Sequence, residues 1–106
     1  MDESLYKNYN KNNQMIELCC FVKENSNNKN YNICEEAIKK AMGNNPDAAE
    51  PHNLLGIILS LKGEHLKAMK HFRAAIDLNP TYEPARKNLF CGAKKHKQNF
   101  KYSFGC

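Results

Sequence analysis

The side chains in this 106-residue chain that could ligate a metal or attack an electrophile are five cysteines and four histidines. They are Cys19, Cys20, Cys34, Cys91 and Cys106, with His52, His65, His71 and His96. Their spacing suits neither task. Adjacent Cys19 and Cys20 lie on different faces of a helix, no CxxC pair accompanies them, and no two histidines stand at i and i+4. A Ser/His/Asp arrangement, a Gly-rich phosphate loop and an HExxH helix are missing as well. The sequence therefore predicts no catalytic residue, no metal and no cofactor, and a protein that is not an enzyme. Cys91 and Cys106 are expected as exposed thiols open to adventitious oxidation.

What remains is recognition chemistry, and charge concentrates it at one end. All 11 acidic residues lie at or before Glu83, whereas Arg86, Lys87, Lys94, Lys95, Lys97 and Lys101 follow it, within a net charge of +5. The final segment, CGAKKHKQNFKYSFGC, interleaves Lys94, Lys95, Lys97 and Lys101 with Phe100, Tyr102 and Phe104. Such a tail is a candidate anion-binding element: lysines neutralise phosphates and aromatic rings stack on bases. It equally suits an anionic membrane surface or an acidic protein patch. It also reads as a solvated basic end with its aromatics folded back on the preceding helix, which needs no partner.

No stretch approaches the ~18 to 20 consecutive apolar residues of a membrane helix, and the first residues lack the apolar run of a signal peptide. The expectation is a soluble, cytoplasmic protein with reduced thiols and no membrane insertion. At this length one domain forms, burying roughly two-thirds of the unfolded surface.

The elements that must position these groups are helices. Residues 1–14, rich in Asn and Lys, read as a flexible leader, and a first helix begins near Met15, carrying Ile16, Leu18, Cys19, Phe21 and Val22 until the run Asn25 to Asn30 ends it. A second, from about Tyr31 to Asn44, carries the stripe Tyr31, Cys34, Ile38, Ala41 and Met42. A third, about Ala49 to Lys62, has Pro51 in its first turn, where a missing backbone donor costs little, and presents Leu55, Ile58, Leu59 and Leu61. A fourth, about Glu64 to Leu78, carries Leu66, Ala68, Phe72, Ala75 and Ile76, and Asn79-Pro80 stops it. A fifth follows Thr81 as a cap, with Pro84 in its first turn, and presents Ala85, Leu89, Phe90 and Ala93.

Residues 15–48 and 49–82 are two copies of one 34-residue unit, since Phe21 and Leu55, Tyr31 and His65, Cys34 and Ala68, Ile38 and Phe72, Ala41 and Ala75, and Pro46 and Pro80 fall in common columns. The second copy resembles the tetratricopeptide repeat through Leu55-Gly56, Leu59, Gly63, Ala68, Phe72, Ala75 and Pro80. The first keeps Phe21, Tyr31, Ile38, Ala41 and Pro46 but has Val22 and Cys34 where the family prefers small residues, and Asn25 where it prefers a large one. A third unit opens at Glu83 and supplies a lone closing helix. The resemblance implies an all-α fold of antiparallel helix pairs stacked as a short right-handed superhelix, spanning residues 15–97 with a capping helix over 83–97 and a tail over 98–106.

It also implies that the first helix of each pair lines a concave groove for a peptide or partner protein. Carried over by column, the groove comprises Cys19, Asn53 and Lys87, then Lys23, Ile57 and Cys91, with Glu50, Ser60 and Lys94. Asn53 is placed to bond a peptide backbone, and Lys23, Lys87 and Lys94 suit an acidic ligand. The carboxylate clamp of chaperone-binding relatives is not matched, because Cys19, Lys23 and Leu54 stand at its positions. His52 and His65 fall where the family has large aromatic residues, and Cys34 in a small core position. The function so implied is a protein-protein interaction module, an adaptor, scaffold or assembly factor. The alternatives are a homodimeric structural protein paired through Ile16, Cys20 and Phe21, and nucleic-acid or anionic-surface binding through the tail.

Overall fold

Five α-helices follow one another in the computed structural model, which describes residues 3–92 and 101–106, and the backbone course alone for residues 3–12. They are α1 (Glu3–Asn27), α2 (Tyr31–Asn44), α3 (Ala49–Leu61), α4 (His65–Leu78) and α5 (Glu83–Gly92). The connections, 28–30, 45–48, 62–64 and 79–82, are too short for anything but a reversal, so successive helices run antiparallel. Each helix packs on the next, and α3 also touches α1 and α5. Neighbour and next-but-one contacts of this kind are those of a stacked helical repeat.

The 34-residue period is visible in the backbone hydrogen bonds. After α1, Lys29 N–H donates to Ser26 O at 3.0 Å and Asn30 N–H to Asn25 O at 2.9 Å. One repeat later, Gly63 N–H donates to Ser60 O at 3.0 Å and Glu64 N–H to Leu59 O at 2.8 Å. Both are the paired bonds that close a helix through a left-handed residue, here Lys29 at φ 60° and Gly63 at φ 87°. The Asn run thus turns through its lysine rather than through an asparagine. Asn45 N–H bonds Ala41 O at 2.9 Å as Asn79 N–H bonds Ala75 O at 2.9 Å, so both units also end alike.

The core centres on α3. Leu54, Leu55, Ile57 and Ile58 are buried on several sides because α1 and α2, α4 and α5 all flank this helix. Phe72 of α4 presses on it where Gly56 leaves room: a Cβ at Gly56 would lie 2.6 Å from Phe72 Cε1. Ile38, Cys34 and Ala68 complete this centre, and Ala49, Ala75 and Ala85 form a satellite cluster.

Several expectations change. The first helix begins at Glu3, not near Met15, so residues 3–14 of the leader are helical. The segment contains no Gly or Pro, and extending a helix already nucleated by packing costs far less than starting one. The buried stripe of α1 is Met15, Cys19, Val22 and Ser26, spaced by three and four, leaving Ile16 at 52% and Phe21 at 41% exposure on its two flanks. Leu66 is 82% exposed, because it lies two residues, about 200° of turn, from the Ala68, Phe72 and Ala75 stripe. Leu61 and Phe90 are likewise exposed. Thr81 does not cap α5: its hydroxyl donates to Asn79 Oδ1 at 2.8 Å, and Tyr82 O accepts the first bond of that helix from Arg86 N–H. The closing helix is described to Gly92; residues 93–97 of the expected capping helix lie outside the described residues.

Candidate functional site

The surface formed by α1, α3 and α5 is occupied by the chain's own last residues. Asn53 and Asn88, both fully buried, meet at its centre, with Asn88 Nδ2 donating to Asn53 Oδ1 at 2.8 Å. The pair grips one residue of the C-terminal segment by its backbone. Asn53 Nδ2 donates to Ser103 O at 3.0 Å, Asn88 Nδ2 to the same oxygen at 2.9 Å, and Ser103 N–H to Asn88 Oδ1 at 2.8 Å. The Ser103 side chain does not enter this set, so the pair reads the backbone of a residue rather than its type.

On either side of Ser103 the segment uses its side chains. Tyr102 and Phe104 pack against the cluster that contains Cys19, Leu54 and Ile57, and the Tyr102 hydroxyl bonds Ser60 Oγ. Gly105 follows at φ 91°, and a Cβ there would collide with the Tyr82 hydroxyl and touch Cys19 Sγ at 3.5 Å. Only glycine fits that seat, for backbone and spatial reasons together. Cys106 ends within hydrogen-bonding reach of the Cys20 thiol and in the field of Lys23. Met15, Ile16, Cys19, Glu50, Tyr82 and Gly105 enclose a shallow hollow at this end.

The electrostatics follow burial. The Cys19 thiol is pushed up to about 12, first by burial, then by nearby Cys106 and Glu50, and is therefore a neutral packing group. Burial likewise raises Tyr82, whose hydroxyl has no nitrogen or oxygen partner among the described residues and lies against Cys19. Cys106 is raised by partial burial and then by Cys20. Away from the groove, His52 of α3 and His71 of α4 stack with ring centroids 5.6 Å apart and Nδ1 atoms at 3.4 Å. Burial lowers the pKa of both. His65 Nδ1 lies 3.2 Å from Ser60 Oγ, but that oxygen also meets Tyr102, and among the described residues no carboxylate orients the imidazole as a general base requires.

Of the residues expected to line the groove, Asn53 and Ser60 bond the segment directly, Cys19 lies under Gly105, and Glu50 borders the same hollow. Ile57 is wholly buried beneath the surface, Lys23 is exposed beside Cys106, and Cys91 is half-buried. Lys87 is exposed, and the α5 partner of Asn53 is its neighbour Asn88. Asn88 was not legible as a groove residue: its column holds Leu54, fully buried and apolar, and Cys20, exposed. Of the anion-binding candidates, Lys101 is exposed, whereas Lys94, Lys95 and Lys97 lie outside the described residues. Tyr102 and Phe104 face the helices, and are not displayed for stacking on bases.

No helix among the described residues is long and apolar enough to cross a membrane. Residues 49–82 match the tetratricopeptide repeat family, a match spanning α3, α4 and the turn that follows. Among curated proteins and solved structures, none matches the chain.

Proposed function

We propose that this chain, whose residues 49–82 are a tetratricopeptide repeat, acts as an adaptor that holds an extended segment of another protein in the groove between α1, α3 and α5. The repeat itself points to protein-protein interaction. The groove reading rests on the Asn53–Asn88 pair, three of whose hydrogen bonds go to the backbone N–H and C=O of one residue. Backbone reading supplies affinity, and the flanking apolar floor supplies selection by side chain. Lys23, exposed at the α1 end, suits a carboxylate on the partner.

The test is affinity capture of partner proteins by the intact chain and by Asn88→Leu, which places at 88 the residue that Leu54 supplies one repeat earlier in the same column. A partner held through the groove is retained at least about 10-fold less by the variant, the loss expected from about 1.4 kcal/mol of hydrogen bonding. Equal retention by a variant with unchanged melting temperature contradicts the groove reading.

A further inference from the structure

We infer that Lys101–Cys106 is a built-in ligand that closes the groove in cis, and that an outside partner enters by displacing it with a segment of the same chemistry: aromatic, any residue, aromatic, glycine. The inference rests on the groove reading above and adds to it the occupant and the pattern it must match.

Four observations carry it. Asn53 and Asn88 are fully buried amides, and without the segment only the bond between them remains among the described residues. Buried amides are retained where something satisfies them, and here that is the backbone N–H and C=O of Ser103. Tyr102 and Phe104 stand two residues apart and both pack on the same cluster, the alternation of an extended chain laid along a surface. Gly105 has a positive φ and no space for a Cβ, which makes glycine part of the pattern. Finally, none of residues 101–106 is fully buried, and every buried member of the cluster they lie on belongs to the helices.

The tether makes the closed state competitive. Residues 93–100 join α5 to the segment, and a short linker holds its ligand at an effective concentration on the order of millimolar. A free peptide of equal intrinsic affinity must exceed that concentration, so the intact chain binds outside peptides weakly until its own segment is released. The position of Cys106 beside Cys20, both exposed, provides a chemical reporter of closure. Oxidised glutathione takes two electrons from the two thiols, which lose two protons and form one disulfide, while it is reduced to two glutathione molecules.

The experiment uses the full chain and a labelled synthetic peptide of residues 98–106, followed by fluorescence anisotropy under reducing conditions. The double variant Tyr102→Ser with Phe104→Ser, which leaves every groove residue intact, is expected to bind the peptide at least about 10-fold more tightly than the unaltered chain. Adding Asn88→Leu to it is expected to remove that gain. Equal binding to the unaltered chain and the double variant, still dependent on Asn88, overturns closure by the segment but leaves the groove reading standing. Binding indifferent to Asn88 sinks the groove reading itself. If the double variant fails to fold, the unaltered chain decides: oxidised glutathione should yield an intramolecular Cys20–Cys106 disulfide, formed more slowly in Asn88→Leu. Its absence from peptide maps overturns the inference.

Discussion

A buried asparagine stabilises a fold only when its amide groups find partners, because an unsatisfied one costs about 1–3 kcal/mol. Asn88 meets that condition through three bonds, two of them to Ser103, so its role is inseparable from the segment it holds. Asn53 was expected as a backbone-binding residue because the resemblance to the tetratricopeptide repeat puts its column on the groove. Asn88 was not, since the same register groups it with Cys20 and Leu54, off the groove columns, and nothing in residues 86–90 marks the tail that satisfies it. A second residue-scale consequence concerns His52 and His71. Burial lowers both pKa values, so the folded state favours the neutral rings, and one Nδ1 must accept what the other donates. Their contribution is intact above the unfolded value of about 6.5 and is lost as pH falls through it toward the folded values. Thermal melts at about pH 7.5 and pH 5 should show a lower Tm at the acid end, with a smaller drop in His71→Gln. A Tm independent of pH over that range contradicts the assignment.

The helices were legible where periodicity and stop signals agree, as at Asn45-Pro46 and Asn79-Pro80, whose backbone bonds repeat to within 0.1 Å. They were less legible at the ends of the stack, where one side of a helix has no neighbour and an apolar residue such as Phe21 or Phe90 remains exposed. The closures of α1 and α3 share their backbone bonds but not the residue at the left-handed position. Lys29 occupies the left-handed position that Gly63 fills one repeat later, and a side chain there costs about 1–2 kcal/mol, offset by the extra freedom of glycine in the unfolded chain. Lys29→Gly should therefore stabilise the protein by roughly 0.5–1 kcal/mol and raise Tm by a few degrees in calorimetry. A lowered Tm would show that Lys29 supplies a contact worth more than the backbone strain.

At the scale of the whole molecule, two helical pairs and a closing helix leave a face formed by α1, α3 and α5, and the chain's own end lies on it. Neither periodicity nor composition signals such a docking, because it depends on three separated places at once: the Asn53–Asn88 pair, Ser60 near the end of α3, and the Tyr82–Cys19 seat for Gly105. The basic, aromatic character of the tail drew attention to anions, whereas Tyr102 and Phe104 are spent on the groove. The most direct test of this arrangement is amide hydrogen exchange by NMR on the unaltered chain. Ser103 N–H, bonded to Asn88 Oδ1 at 2.8 Å, should exchange at least about 10-fold more slowly than the Lys101 amide, and the Asn53 and Asn88 side-chain amides should share that protection. Exchange of Ser103 at the rate of a free peptide would mean that the groove stands open and that the account of its occupant is wrong.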